Sequence, residues 1–228
     1  VRDAGGGGET RAHLERARDR LLGALRGRAL FAHEAGGTGL VPRYRAHVGC
    51  FADQVYPIQA LARIGDDAAV AAADSVAEGI CGAQGPGGQW WWHYDARTGA
   101  VVEGYPVYSV HQHAMAPMAL LDLADAGGAD RLDAVAKGVR WLSRPPETGT
   151  SLLPGREPGE PVMTWRKVAR NDPRKAVRGV RAATTALRPG WRLGSLDRRF
   201  PPVAVDRECR PYELGWLLHT WLDPSTRE

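Results

Sequence analysis

Cysteine is scarce in this chain of 228 residues. Cys50, Cys81 and Cys209 are odd in number and widely spaced, so no C-x-x-C pair and no disulfide framework is expected, which suits a reducing, cytoplasmic setting. Aromatic residues make up only 7% of the sequence. No apolar run approaches the roughly 20 residues needed to cross a bilayer, and the start, VRDAGGGGETRAHLERARDR, has charge but no apolar h-region. Also missing are GxxxxGK[ST], a GxGxxG after a strand, HExxH and GxSxG. Nucleotide-driven and metal-driven chemistry are therefore disfavoured, and neither a cofactor nor a metal is expected.

What is present is ordinary globular composition, 43% hydrophobic and 25% charged, enough for one core. Residues 1–8 read as a frayed tail and 9–228 as a single domain. Leu14, Ala17, Leu21, Leu22 and Leu25 fall on one face of a helix over about 9–28, and the glycines at 36–39 mark a loop. Further helices are expected over about 53–64, 66–84, 107–125, 129–142, 173–187 and 211–222. Glycines close several of them, and aspartate caps the third. The run GPGGQWWWHYDARTG predicts one small hairpin near 90–103, turning at Arg97-Thr98-Gly99. Proline and glycine make 144–162 a long loop. Strand patterns are otherwise few, so the fold class expected is all-α.

The net charge of +4 is unevenly spread. Between Trp165 and Arg192 nine basic residues face one acid, Asp172. Arg170, Arg174, Arg178 and Arg181 recur at helical spacing, as either a solvated face or a contact for an anionic membrane surface or lipid-linked diphosphate. No nucleic-acid module accompanies them, so no nucleic-acid partner is expected.

One internal similarity organises the rest. DQVYPIQALARIGD (53–66) and HQHAMAPMALLDLADA (111–126) both place a polar pair before a proline and an apolar helix, and ECRPYELGWLLHTWLD (208–223) is a weaker third copy. Repeated helices that open on polar residues, together with Gln84-Gly85-Pro86-Gly87-Gly88-Gln89-Trp90, resemble the (α/α) toroids. The run fits the Q-x3-G-x-W pattern of squalene-cyclase and prenyltransferase-like repeats, and six-hairpin carbohydrate enzymes carry similar turns. The resemblance covers about 28–142 and, more weakly, 206–223. It implies a partial toroid of helical hairpins, with about seven helices against twelve in a complete one, shortened or completed by self-association.

In such a fold the starts of the inner helices meet around a cavity. The candidate catalytic residues there are Asp53, Glu103 and His111, for acid/base chemistry. Candidate substrate-binding residues are Arg45 and Arg210 for an anion, Trp90, Trp92, Tyr94 and Tyr108 for stacking, and Gln54, Gln112, Tyr212 and Glu213 for hydroxyls. Bland readings stand beside these: a helix N-cap for Asp53, a solvated turn acid for Glu103, a core histidine for His111 and core aromatics for the tryptophans. His111 and His113 lie two apart and cannot share one metal face, and Glu208, Cys209 and His219 resemble the aspartate, cysteine and histidine zinc set of protein prenyltransferases but with the wrong acid-to-cysteine spacing.

The expected function is acid/base chemistry on a sugar or lipid-linked sugar in polysaccharide or glycolipid metabolism, in the cytoplasm or at the membrane periphery. A terpenoid-cyclase or prenyltransferase-like protein lacking DxDD and DDxxD is the alternative. A noncatalytic helical module docking a membrane enzyme is a third reading.

Overall fold

The computed structural model describes residues 8–33, 42–154, 163–169 and 173–222, with the side chains of Arg174 and Lys175 excepted. The tail at 1–7, the 36–39 glycines, Arg170 and part of the 144–162 loop lie outside the described residues.

Eight helices are present among the described residues: α1 (Gly8–Leu25), α2 (Ala52–Ile64), α3 (Asp67–Gly82), α4 (Ala116–Asp125), α5 (Leu132–Trp141), α6 (Arg174–Leu187), α7 (Gly194–Arg199) and α8 (Pro211–Trp221). Five strands accompany them. β1 (Val48–Cys50), β2 (Trp91–Asp95) and β3 (Val101–Pro106) form an antiparallel sheet in that order, and β4 (Lys167–Ala169) pairs antiparallel with β5 (Ala204–Asp206). The all-α, partial-toroid expectation is thereby overturned. The chain is mostly helical, but its two sheets make it a mixed α/β protein. The expected hairpin is there, with Gly99 at φ +75 in its turn. β1, β4 and β5 were not foreseen because three residues are too few to show a period of two.

The helix ends follow local chemistry. Asp66 caps α3 by accepting from Ala69 N–H at 3.1 Å, and its carboxylate also receives Arg18 of α1 at 2.6 Å. Gly65 closes α2 in the left-handed region at φ 73, which costs glycine nothing. α2, α3 and α4 build the main core through Val55, Ile58, Leu61, Ala73, Ile80 and Leu120, under the fully buried Trp90 and Tyr94. Trp141, Leu142, Leu152 and Val168 make a smaller core against the second sheet. α6 lies on the first sheet through Val48, Val102 and Ala182, and is fastened where His47 Nε2 meets Thr185 Oγ1 at 2.9 Å and Arg97 donates to Thr185 O at 2.7 Å.

Before α4 the backbone passes through a π-helical turn, His111–Met115. Pro117 has no N–H, so the carbonyl of His113, which an unbroken α-helix would pair with residue 117, is left free. Trp221 of α8 fills that vacancy, its Nε1–H donating to His113 O at 2.7 Å, and Thr220 Oγ1 donates to Ala114 O at 3.1 Å. The π turn thus docks α8 and brings the first turn of that helix toward residues 108–111.

Candidate functional site

Three chain segments meet where α2, the π turn and α8 begin. Ser109 Oγ lies 3.4 Å from Glu213 Oε2 and donates at 2.9 Å to the carbonyl of Arg166. Arg166 precedes β4, pairs closely with Glu208, and sits with its guanidinium carbon 4.5 Å from the Tyr108 ring centroid. Lys167 approaches the same ring at 5.2 Å and reaches Asp206 at 3.5 Å. Arg210 completes the corner, donating to Glu208 at 2.7 Å. Tyr56 has Cys50 and Tyr212 as electrostatic neighbours, and partial burial is the main reason its hydroxyl is raised above its ordinary range.

Glu213 is the unusual group. It is 1% exposed, and among the described residues its Oε1 has no hydrogen-bond partner. Burial pushes its carboxyl up to about 7, against weaker opposing effects of Ser109, Arg166 and Arg210. It therefore holds or releases a proton near neutrality, as a general acid or base requires. Two residues on from Ser109, His111 packs among Phe51, Trp92 and Tyr108 at centroid distances of 5.7, 6.3 and 5.9 Å. Burial lowers the pKa of His111 to about 4, with the nearby His113 adding to the effect, so both imidazoles are neutral at pH 7. His111, Gln112 and His113 each keep a buried ring or amide nitrogen without a hydrogen-bond partner among the described residues, a concentration that marks the π turn as the polar heart of the interior.

Behind this corner stands a second polar row. Cys50 of β1 is opposite His93 of β2, and His93 is opposite Glu103 of β3. Glu103 is 1% exposed, closely paired with His93 Nδ1 and 3.4 Å from Arg178 Nε, so it is no solvated turn acid. Asp95 is equally buried and is held bidentately by Arg97 at 3.0 and 2.8 Å. Each carboxylate thus has its own cation, and they do not form a shared pair.

The structure sorts the remaining candidates. Asp53 does not cap α2. It reaches back from the first turn to accept Cys50 N–H at 2.7 Å and lies 3.1 Å from His33 Nδ1. Gln54 is fully buried and spent on backbone: Oε1 accepts Phe31 N–H at 2.9 Å, and Nε2 donates to Phe31 O at 2.8 Å and Cys50 O at 3.0 Å. Gln112, Trp90 and Tyr94 are also fully buried. The Gln84 amide clamps Gly88 O and Ala134 O, and the Trp90 ring presses against Gly138, so the Q-x3-G-x-W run is packing here. None of these four, Gln54, Gln112, Trp90 or Tyr94, is placed to touch a ligand. Trp92 lies edge-on to Tyr108 at 4.7 Å under Arg178 at 5.8 Å, so its ring is already used by a protein cation. Arg45 stands apart from the Glu213 corner, in a narrow cleft with His93, Glu103 and Arg178. Tyr212 is half exposed at the mouth of the corner.

Of the cationic stripe, the two described side chains, Arg178 and Arg181, are engaged within the chain. Arg178 serves Glu103, and Arg181, 3% exposed, donates to Asp197 at 2.6 Å. The side chain of Arg174 and all of Arg170 are outside the described residues. Sequence reasoning missed Arg166 and Ser109 as site residues. Their signal was weak, because they act through residues 42 and 104 positions away.

No family model, curated protein or solved structure matches the chain, so the likeness to toroid enzymes rests on its sequence pattern alone. Among the described residues no helix is long and apolar enough to cross a membrane.

Proposed function

We propose that the chain is a carbohydrate-active protein that acts by acid–base chemistry on a sugar of acidic character, with Glu213 as the proton carrier. The observation that carries this reading is the Glu213 carboxyl itself, which is buried, raised to about 7 and has one oxygen without a partner among the described residues. Arg166, Lys167 and Arg210 supply three cations near it against the carboxylates of Glu208 and Asp206, a balance suited to a uronic acid or phosphorylated sugar. In this reading Asp53, Glu103 and His111 are supporting groups. A hydrocarbon ligand would need a closed apolar cavity, and a corner holding this many hydrogen-bonding groups favours sugar over isoprenoid.

Calorimetric titration and thermal shift with glucuronate, glucosamine and farnesol test the proposal. A saturating uronic acid at about 100 times its Kd should add about 2.7 kcal/mol, and hence raise Tm by roughly 5–10 °C. Arg166→Gln should weaken uronate binding about tenfold or more, and uronate binding by the wild type should loosen as pH rises through 7, where Glu213 gains charge. Glu213→Gln should bind uronate without that pH dependence. Stabilisation by farnesol and by no sugar overturns the proposal.

A further inference from the structure

Outside the Glu213 corner, one cluster combines three kinds of donor atom. An imidazole nitrogen of His33, the Cys50 thiol sulfur and a carboxylate oxygen of Asp53 lie within 4.8 Å of one another. We propose that these three side chains bind one divalent ion of the zinc class, leaving a fourth position open to water or to a ligand oxygen. This inference does not depend on the proposed sugar chemistry.

The donor set decides the metal. A thiolate, an imidazole and a carboxylate suit Zn2+ or Co2+, whereas Mg2+ and Ca2+ call for oxygen alone. Tetrahedral bonds of about 2.0–2.3 Å need ligand atoms roughly 3.3–3.8 Å apart, so the three must close by no more than about 1–1.5 Å. His33 Nδ1 and Asp53 Oδ2 already stand 3.1 Å apart. The His33 side chain is 67% exposed, which gives it freedom to turn onto an ion and leaves an entry path.

The backbone around the cluster is built to hold these residues together. His33 N–H donates to Val48 O at 3.0 Å, which lays the 31–33 segment against β1. Gly49 makes that approach feasible, because a Cβ there would sit 2.0 Å from Phe31 O. Gln54 ties Phe31 to Cys50 by three hydrogen bonds, and Asp53 accepts the Cys50 N–H, so the carboxylate is oriented by the residue that supplies the sulfur. Supporting bonds of this kind are what orient ligands in metal sites. Spacing alone does not reveal the cluster, since the three positions follow no ligand pattern and are drawn together by the Gly49 approach and the Gln54 hydrogen bonds.

Titration of the reduced chain of 228 residues with Co2+ tests the site. Saturation at about one equivalent is expected, with visible bands of tetrahedral intensity and a near-ultraviolet thiolate-to-metal charge-transfer band, all bleached by Zn2+ and untouched by excess Mg2+. Cys50→Ser should abolish the charge-transfer band, and Asp53→Asn and His33→Ala should each weaken binding by about tenfold or more. Cys81→Ser and Cys209→Ser should behave as wild type. Far-UV spectra report whether Cys50→Ser folds, and if it does not, His33→Ala, altered at an exposed side chain, carries the test. Retention of the charge-transfer band in folded Cys50→Ser, unweakened binding in His33→Ala, or no saturable binding to the wild type would overturn the proposal.

Discussion

Replacing Gly49 with alanine is expected to destabilise the protein by about 3 kcal/mol or more, at the upper end of what overpacking costs. The added Cβ would lie 2.0 Å from the backbone oxygen of Phe31 and 2.8 Å from Gln54 Nε2. A flexible side-chain tip could swing away, but a carbonyl held by Gln54 Nε2 cannot move without breaking that bond. The 31–33 segment would have to lift from β1, giving up the His33 to Val48 hydrogen bond and exposing Phe31, which is 2% exposed in the native fold. For a chain of this size a drop in Tm of roughly 6–12 °C corresponds to such a loss. Gly82→Ala is the matched control. Nothing lies within 4 Å of its Cβ position, and at the end of α3 alanine should be neutral or stabilising by up to about 1 kcal/mol. Equal melting temperatures for Gly49→Ala and the wild type would show that the segment does not pack as described.

That tight contact also shows what a sequence reveals and what it hides. The helix ends were legible because their signals are local: Asp66 with Ala69, Gly65 in the left-handed region, and the Arg97-Thr98-Gly99 turn all act within four residues. The repeated Asp53-Gln54 and His111-Gln112 pairs were legible as a pattern, but their meaning was not. Both glutamines are fully buried and hold the chain that runs past each helix start, Gln54 through Phe31 and Cys50 and Gln112 through Trp90 N–H at 3.5 Å. A polar residue opening an apolar helix reads as a ligand contact until the backbone groups it satisfies are known. The π turn was hidden for a related reason. Pro117 is visible in the sequence, but the carbonyl it frees is claimed by Trp221, 108 positions from His113. Glu213 came forward only as one hydroxyl ligand among several, because its burial depends on Ser109 and on the strand that follows Arg166.

The pH dependence of stability is expected to be shaped by opposed buried groups. His111 and His113 are lowered from 6.5 to about 4 by burial, so the unfolded chain takes up protons that the folded chain refuses. Their neutrality supports the fold above pH 6.5, and that support is lost as pH falls toward 4, by at most about 3 kcal/mol for each ring. Glu213 works the other way. Its carboxyl is raised from 4.5 to about 7, so its contribution is fully present below pH 4.5 and is lost as pH rises through 7, again by at most about 3 kcal/mol. Over pH 4.5–6.5 each ring contributes about 2 kcal/mol and the carboxyl opposes one of them, so these three groups leave the wild type gaining about 2 kcal/mol in urea unfolding. Glu213→Gln removes the opposing group, so its gain over the same interval should rise to about 4 kcal/mol, and it should not weaken between pH 6.5 and 7.5. Substituting glutamine for either histidine should instead flatten the acid limb. Parallel curves for Glu213→Gln and the wild type from pH 4.5 to 7.5 would place the Glu213 carboxyl in its ordinary range and remove the proton carrier from the proposed site.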